Sequence, residues 1–538
     1  MLNKLKSYLE SIHITPISWF LGISGVLMVR FFMESLSSPT SSGFFSSDAS
    51  TLIHYYLLFL SGLLMLLLFF QVVIPSWKKV IPQFVILSTP ILFIPPIVDW
   101  IVSGGKGIKM TYLFDAPVKM LHSFLSIFSY KTGVATVGIK IEIILALILF
   151  SVLVYFIQKS WKRAIFSAII LYVIIFIFAS LPGVVSMIVQ FGHIFQKTPL
   201  LFFQNSVVES STIANNIHSS LEYSSGIRLL EVSFNFMMGK ILFIISSVLA
   251  SVWFFINFKD KFKAVFCNFR IERIAHYIFT IFVGIFVAYI IFGRIQFNWN
   301  DYLSVIVLCL SFCYSGIFAI CMNDIVDEDI DKISNTDRPL VTGSLSKEDM
   351  KQIAFVSLVA VLLSGFLAGY TTLFFVLALN ALYYIYSVPP TRFKLIPFFS
   401  SFIIGLCYLT AILAGFFLVS PIKEVSVFPP KLAAAVIVVT VLLAHARDMK
   451  DIKGDRFAGV KTVPVIFGDV WGPKIVGILS SLSYILVPVF LSIPILFVSA
   501  VPAALANYYF VNKKPYSEKP MFRTYFIFIL VTFLLLFF

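Results

Sequence analysis

The chain has 538 residues, of which 59% are hydrophobic and 12% are charged. Because a soluble globular protein is usually about half apolar, this composition excludes a soluble enzyme and predicts an all-α protein that crosses a membrane many times. The formal net charge of +14 is typical of the Lys and Arg excess in cytoplasmic loops of such proteins, so we predict no nucleic-acid partner. The five cysteines form no CxxC pair, which argues against a zinc site.

Apolar runs of about 17 to 25 residues, the length that crosses a bilayer as a helix, recur along the whole chain. Residues 1–258 contain about six such runs and no acidic pair, glycine-rich loop or histidine cluster. We therefore predict a separate six-helix membrane module whose function the sequence does not indicate. Its predicted spans are 16–33, 51–74, 80–102, 141–158, 164–190 and 240–258.

A basic connector, residues 259–272, follows this module and is typical of a cytoplasmic loop. In the second predicted domain, residues 273–538, Lys and Arg concentrate in alternate loops. That alternation predicts about nine helices that begin in the cytoplasm and end outside. Their predicted spans are 273–293, 302–322, 353–370, 371–387, 396–419, 430–446, 473–490, 491–511 and 523–538.

The first of two acidic motifs has five carboxylates within eight residues. The spacing N-D-x-x-D-x-x-x-D, at the predicted cytoplasmic end of a span, is formed by Asn323, Asp324, Asp327 and Asp331. On an α-helix these residues lie within an arc of about 100°, whereas Asp329 points elsewhere. One helix face therefore presents three carboxylates and an amide.

The second acidic motif ends the sixth predicted helix of the same domain. Asp448, Asp451 and Asp455 lie within an arc of about 60° on an α-helix, while Lys450 and Lys453 point away from that face. Two acidic faces at one membrane surface repel each other unless a cation neutralises them.

Hard oxygen ligands without His or Cys suit Mg²⁺, which usually completes its shell with water and phosphate oxygens. Basic residues near the motifs are a second indication of a phosphorylated ligand: Arg338, Arg392, Lys394 and Lys461. Metal and basic side chains around one cytoplasmic pocket predict a diphosphate site.

Three other interpretations of the acidic motifs fit less well. A calcium loop starting at Asp327 requires glycine at its sixth position and glutamate at its twelfth, where the chain has Lys332 and Arg338. An ion pathway requires carboxylates in mid-span, and these lie at predicted helix ends. Solvent-exposed charge remains an alternative for either motif alone, but it does not explain two acidic faces on one side of the membrane.

At these motifs the sequence resembles the UbiA superfamily of intramembrane prenyltransferases. The resemblance covers about residues 265–538 and rests on NDIVDEDID, NTDRPLVTGSLS, YSVPPTRFK and DMKDIKGDRFAGVKTVP, in the family's order. Within the superfamily these strings are most similar to the digeranylgeranylglyceryl phosphate synthases and the chlorophyll and tocopherol branch. The resemblance implies a nine-helix UbiA-type bundle around a cavity open to lipid, with the motif loops at its cytoplasmic mouth.

The resemblance also implies roles for individual residues. It assigns a first Mg²⁺-diphosphate site to Asn323, Asp324, Asp327 and Asp331, and a second to Asp448, Asp451 and Asp455. Of these ligands, the predicted catalytic residues are Asp324, Asp327, Asp448 and Asp451. Tyr386, Arg392 and Lys394 match the family loop that contacts the diphosphate, and we add Arg338 and Lys461 as predicted diphosphate ligands.

We expect Mg²⁺-dependent transfer of a polyprenyl group from its diphosphate to a lipophilic acceptor, either an isoprenoid lipid or a quinone-type aromatic. Tyr383, Tyr384 and Phe393 are candidates to stabilise an allylic cation, and His445 is a candidate base.

The rival hypothesis is a non-catalytic transporter or scaffold built on the same fold. A transporter requires charge in the middle of its spans, and we identify none in the sequence. Without a recognisable organelle-targeting segment, we expect a multi-pass protein of a prokaryotic plasma membrane, with the site facing the cytoplasm.

Overall fold

The structure is a computed structural model that describes residues 2–37, 49–108, 111–115, 117–128, 135–190, 199–209, 226–293, 295–396, 398–457 and 459–537. All regular secondary structure in these residues is helical, and 15 helices are long and apolar enough to cross a membrane. Both findings confirm the predicted fold class. We number these helices α1 to α15: Pro16–Leu36, Ala49–Val73, Ile81–Val102, Val137–Gln158, Trp161–Ala179, Leu230–Asn257, Ile271–Phe292, Trp299–Val326, Lys347–Ala368, Tyr370–Ser387, Phe399–Val419, Pro430–Lys450, Val463–Leu491, Pro494–Asn512 and Glu518–Leu536.

The ends of several helices differ from the predicted spans. α8, predicted to end at 322, continues to Val326 and so includes the start of the first acidic motif. α13 begins at Val463 rather than at 473, and Gly468, with a φ of 72°, interrupts it. In both cases the helix extends beyond the apolar run, because backbone hydrogen bonding does not stop where hydrophobic side chains stop.

The chain divides into two compact units. Unit 1 comprises Met1–Asn257 and Gln296–Leu303, and unit 2 comprises Phe258–Ile295 and Ser304–Phe538. The stretch Gln296–Leu303 groups with unit 1 although it lies beyond the predicted domain boundary at 258. Both acidic motifs lie in unit 2.

Unit 1 has a buried charged side chain in its first span. Arg30 is 1% exposed and forms an ion pair of 3.9 Å with Glu34, one turn further along α1. No charge in the middle of a span was predicted, and Arg30 lies within α1, six residues before its end. The carboxylate of Glu34 offsets the cost of burying the guanidinium, as i,i+4 pairing on one helix face allows.

Unit 1 also contains a buried network of polar side chains around His54 in α2. The two ring nitrogens of His54 lie 2.8 Å from Asn235 Oδ1 and 2.7 Å from the Tyr112 hydroxyl. Asn235 donates in turn to Thr51 Oγ1 at 2.8 Å. Because both ring nitrogens are bonded, this histidine is a satisfied structural group.

Unit 2 is organised around α11, most of whose residues are buried. α7 crosses α11 at two glycines. A Cβ on Gly284 would lie 1.9 Å from the Ile412 carbonyl oxygen, and a Cβ on Gly415 would lie 2.0 Å from that of Ile281. Glycine is therefore required at both positions for the two backbones to approach this closely.

The two acidic motifs have different local backbones. After α8, Asp327 has a φ of −97° and a ψ of 11°, and a short helix, Glu328–Ser334, follows. The Asp331 N–H still donates to the Asp327 carbonyl at 2.9 Å, so the first motif keeps the spacing of an α-helix. In the second motif, His445–Lys450 is a 3₁₀-helix that precedes the short helix Ile452–Phe457.

Candidate active site

Both acidic motifs line one cavity of about 190 Å³ in unit 2. Asn335 joins them: its side-chain amide donates to Asp331 Oδ1 at 2.8 Å and to Asp451 Oδ1 at 3.3 Å. The structure thus brings together residues that are more than a hundred positions apart in the sequence. The predicted metal ligands that line the cavity are Asn323, Asp327, Asp331, Asp448, Asp451 and Asp455.

Asp324 lies behind the cavity wall and is 1% exposed. Its carboxylate accepts hydrogen bonds from Asn268 and Arg270, both at 2.7 Å. Asn268 in turn accepts a hydrogen bond of 2.9 Å from Arg338. Both carboxylate oxygens are bonded, so Asp324 holds Arg270 directly and Arg338 through Asn268 in this structure, and its assignment as a metal ligand stays a prediction.

Asp327 is neutralised by two of the predicted diphosphate ligands. Arg392 donates to one carboxylate oxygen at 2.9 Å, and Lys394 donates to the other. Burial lowers the pKa of Lys394 from its usual value, and Asp327 counteracts that shift. Both carboxylate oxygens of Asp327 are therefore occupied by cationic side chains of the chain itself.

Asp331 and Asp455 have a different environment. Among the described residues, no hydrogen-bond partner reaches Asp331 Oδ2, which is buried. Burial raises the pKa of Asp331 to about 6. Burial, followed by repulsion from Asp448 and Asp451, raises the pKa of Asp455 to about 7. Carboxylates that are desolvated and crowded in this way are stabilised by a divalent cation.

These donors fit Mg²⁺ in chemistry, since all are oxygen atoms and one buried carboxylate oxygen lacks a partner. The described part of the chain contains no group of three acidic, His or Cys side chains close enough to hold one ion. The geometry gives the reason, because Asp324 and Asp327 bond cations instead.

The five predicted diphosphate ligands divide into two groups. Arg392 reaches the cavity through its bond to Asp327. Lys461 is exposed and lies outside the cavity lining, where its neighbour Thr462 donates to Asp455 at 3.3 Å. The ligands that line the cavity directly are Arg338, Tyr386 and Lys394.

Of the candidate aromatic residues and the candidate base, only one lines the cavity. Tyr383 lines the cavity, whereas Tyr384 is 45% exposed and Phe393 lies outside the lining. His445 is buried and lies 3.9 Å from Asp448, but it does not line the cavity. The geometry gives no support to His445 as a base.

Several cavity residues were missed by the sequence analysis. Arg273 and Lys450 line the cavity, and Glu518 pairs with them at 3.0 Å and 3.7 Å. Lys450, which was predicted to point away from the acidic face, lines the cavity beside the carboxylates of the second motif.

The signals for the missed residues differ. Arg270 and Arg273 lie at the end of the basic connector and the start of α7, where positive charge was interpreted as a membrane-surface feature. Arg270 and Arg273 are three residues apart, so they lie on one face where α7 begins, and this spacing could have indicated that both face the site. Glu518 begins α15, far from both motifs in sequence, and no local pattern distinguishes it from any helix-start acid.

Known proteins are similar to the second half of this chain. Residues 277–532 match the UbiA prenyltransferase family. Chlorophyll synthase from Arabidopsis thaliana is 30% identical over 191 residues, which cover 32% of this chain and 47% of that enzyme. Digeranylgeranylglyceryl phosphate synthase from Thermococcus sibiricus is 28% identical over 221 residues, which cover 41% of this chain and 75% of that enzyme. The chain thus spans about half the length of the first of these relatives.

A solved structure of a UbiA homolog from Archaeoglobus fulgidus, bound to GPP and Mg²⁺, is 20% identical and has a TM-score of 0.40. The similarity covers 50% of this chain and 96% of that homolog. The family match confirms the resemblance predicted from the motifs, and the two relatives belong to the branches that were predicted as most similar. Residues 277–532 are a UbiA prenyltransferase family domain.

Proposed function

We propose that unit 2 transfers a polyprenyl group from its diphosphate to a lipophilic acceptor within the membrane, with Mg²⁺ as cofactor. The observation that carries this proposal is the single cavity in which carboxylates of both motifs meet the cations Arg338 and Lys394 and a wall of tyrosines. Such a pocket fits a substrate with an anionic head and an apolar chain. The cations, and a metal on the carboxylates, would bind the head, and the tyrosines would contact the chain.

The oxygen ligands of the two motifs would hold the metal. When bound, Mg²⁺ supplies positive charge to the diphosphate as that group leaves. Asp324 positions Arg270 from behind the wall. The proposed ligands are the predicted ones that line the cavity: Asn323, Asp327, Asp331, Asp448, Asp451 and Asp455.

The cationic side chains would bind the diphosphate oxygens. Arg392 and Lys394 bond Asp327 in the structure, and a diphosphate is a stronger anionic partner for both than one carboxylate. Transfer of these cations from Asp327 to the substrate frees the carboxylate to act as a ligand. Donor and cofactor binding are therefore coupled through Asp327.

The aromatic wall would protect the reacting carbon. The rings of Tyr277 and Tyr408 stack with centroids 4.4 Å apart, and Tyr383 lies edge-on to Tyr277 at 5.9 Å. The bond between the first carbon of the prenyl chain and the diphosphate oxygen breaks, and the diphosphate leaves with the electron pair. The ring faces stabilise the allylic cation and keep water from it until an acceptor atom bonds to that carbon and loses a proton.

The relatives support the class of donor and leave the acceptor open. The Archaeoglobus homolog binds GPP, a prenyl diphosphate. The two relatives are named for different products, a chlorophyll and a digeranylgeranylglyceryl phosphate. We propose a prenyl diphosphate donor and either an isoprenoid lipid or an aromatic acceptor.

A transfer assay tests this proposal directly. The full chain, purified into lipid nanodiscs, is incubated with radiolabelled geranylgeranyl diphosphate and a panel of glycerol phosphate lipids and aromatic acids, with either Mg²⁺ or EDTA. We expect a prenylated product that requires Mg²⁺. The proposal would be contradicted if the chain consumed none of the prenyl diphosphates tested, whatever their chain length and whatever the acceptor.

A further inference from the structure

We propose that Asn335 is a positioning residue, which holds the two acidic motifs together as an uncharged bridge and so prepares both to bind divalent cations. This inference rests on the proposed prenyl transfer, because that reaction uses the cations. Its geometry and its test, however, do not require transfer to occur. It follows from the place of Asn335 between the two motifs.

The side-chain amide of Asn335 contacts one carboxylate of each motif. It donates to Asp331 Oδ1 at 2.8 Å and to Asp451 Oδ1 at 3.3 Å, so these two oxygens lie at most about 6 Å apart. Carboxylates only accept hydrogen bonds, and therefore the nitrogen of the amide is the atom that faces both. Within the described part of the chain, no other side chain is hydrogen-bonded to both motifs.

The backbone fixes Asn335 in this place. The residue follows the short helix Glu328–Ser334, and its N–H donates to the Asp331 carbonyl at 2.8 Å. Its own carbonyl accepts a hydrogen bond of 3.1 Å from the Arg338 N–H. Because the backbone of Asn335 is held on both sides, its side chain loses little further conformational freedom when it bridges the carboxylates.

The charge of the motifs explains why an uncharged amide suits this position. Asp331 and Asp451 line the cavity together with Asp448 and Asp455. Carboxylates that meet in one cavity repel each other, and this repulsion tends to separate the two motifs. The amide offsets part of the repulsion by donating to both sides without adding a positive charge. A lysine here would compete with a metal ion for the carboxylates, and an aspartate would increase the repulsion.

The bridge also leaves carboxylate oxygens for a cation. Asp331 uses Oδ1 in its bond to Asn335, and its Oδ2 is buried without a hydrogen-bond partner among the described residues. A buried carboxylate oxygen in this state favours a cation that enters the cavity. Asn335 thus keeps the two motifs assembled beforehand, so that ion binding does not have to bring them together.

The test measures the binding of Mn²⁺, which prefers the same oxygen ligands as Mg²⁺, to the full chain in nanodiscs of zwitterionic lipid. The electron paramagnetic resonance signal of free Mn²⁺ gives the Kd, with and without inorganic diphosphate, and needs no prenyl transfer. Asn335→Ala removes the bridge, Asn335→Gln keeps an amide, and Asn335→Lys keeps a donor but adds a charge. Thr336→Ala is the matched control, because Thr336 is the next residue and is exposed. Size-exclusion chromatography shows whether each variant is folded.

We expect Asn335→Ala to raise the Kd for Mn²⁺ by about tenfold or more, the size of a lost hydrogen bond to a charged group, in a chain that still elutes as a folded protein. Asn335→Gln should restore part of the affinity, and Thr336→Ala should bind as the wild-type chain does. Asn335→Lys should weaken binding more than Asn335→Ala, because its ammonium group competes with the ion. In transfer assays, Asn335→Ala should raise the KM for the donor, and saturating Mg²⁺ should restore most of kcat.

Three results would overturn the bridge. They are a Kd for Mn²⁺ that is within about twofold of the wild-type value in folded Asn335→Ala, an equal loss of affinity in Thr336→Ala, and no binding of Mn²⁺ to the wild-type chain. If Asn335→Ala does not fold, Asn335→Lys decides the question, and unchanged Mn²⁺ binding in that variant would overturn the bridge. Mn²⁺ binding that depends on Asn335, in a chain that transfers no prenyl group, would support the bridge and contradict the proposed reaction.

Discussion

Asp327 and Arg392, 2.9 Å apart, show how single residues of this site can exchange partners. The sequence patterns assign one to a metal and the other to a diphosphate, and the structure bonds them to each other. Opposite charges attract strongly in a cavity of low dielectric, so Asp327 and Arg392 pair with each other in the structure. In the proposed reaction Asp327 binds the metal instead, and Arg392 binds the diphosphate.

Two carboxylates of the site predict a pH dependence for Mg²⁺ binding. Burial raises the pKa of Asp455 to about 7 and that of Asp331 to about 6, and Mg²⁺ requires both groups deprotonated. The affinity for Mg²⁺ is therefore highest above about pH 8, where both groups are deprotonated, and falls as the pH drops through 7 and 6. We expect the Kd for Mg²⁺ to rise on the order of tenfold between pH 8 and pH 6.

Isothermal titration of Mg²⁺ into the purified chain at these two pH values measures this dependence. Asp455→Asn should bind Mg²⁺ more weakly and lose most of the pH dependence, because the group with the higher pKa is gone. A Kd that is the same at pH 6 and pH 8 in the wild-type chain would show that these carboxylates do not bind the ion.

The residues of the site were only partly predictable. The spacing of Asp327, Asp331, Asp451 and Asp455 predicted two acidic helix faces on one side of the membrane, because helical periodicity can be read from sequence. Arg447 directly precedes Asp448 and lines the cavity, but no pattern in the sequence marks it as a site residue. Whether a cation has a partner depends on tertiary contacts that no local pattern encodes.

At the scale of elements, the crossing of α7 and α11 is the contact most sensitive to change. We expect Gly284→Ala to lower the free energy of unfolding by about 3 kcal/mol, because the new methyl group would lie 1.9 Å from the Ile412 carbonyl oxygen and force the helices apart. Chemical or thermal unfolding in detergent, followed by size-exclusion chromatography, measures the loss.

Gly62→Ala in α2 is the matched control for that experiment. A Cβ at Gly62 meets no atom within 4 Å, so this substitution should be neutral or stabilise the helix by less than about 1 kcal/mol. Equal stability of the Gly284→Ala and wild-type chains would mean that α7 and α11 are not in such close contact.

The helices themselves were predicted well because apolar runs of membrane length are long and continuous. The 3₁₀ geometry of His445–Lys450 was not predicted. An α-helix and a 3₁₀-helix differ by about 0.6 residues per turn, and side-chain hydrophobicity does not report which of the two forms.

At the scale of the whole molecule, the orientation in the membrane is a prediction from the distribution of Lys and Arg. Cys267, at the end of the exposed helix Lys259–Cys267, is a natural reporter of that orientation. If the connector is cytoplasmic, a membrane-impermeant maleimide should label Cys267 in inverted vesicles and not in intact cells.

Cys267→Ser controls for the other four cysteines and should abolish the labelling. Two of those four, Cys321 and Cys407, are buried, and Cys309 and Cys313 are half-buried. Labelling of Cys267 in intact cells would reverse the orientation of the whole site.

The two units were predictable to different degrees. For unit 2, both the helices and the candidate site residues could be predicted from the sequence, because two acidic motifs with helical spacing mark the site. Unit 1 has only scattered polar residues, and its buried pair Arg30 and Glu34 became visible through packing alone. Its function stays a question for experiment, and the domain boundary at 258 stays a prediction.

The most direct test of prenyl transfer at this cavity combines Asp327→Asn with Asp451→Asn, one carboxylate from each motif. Asp329→Asn is the control, since Asp329 lies in the first motif but its side chain is 89% exposed. We predict that Mg²⁺-dependent transfer falls at least about a hundredfold in the double variant, which still inserts and elutes as a folded protein, and is unchanged in Asp329→Asn. Transfer at the wild-type rate in a folded double variant would contradict the assignment of the reaction to this site.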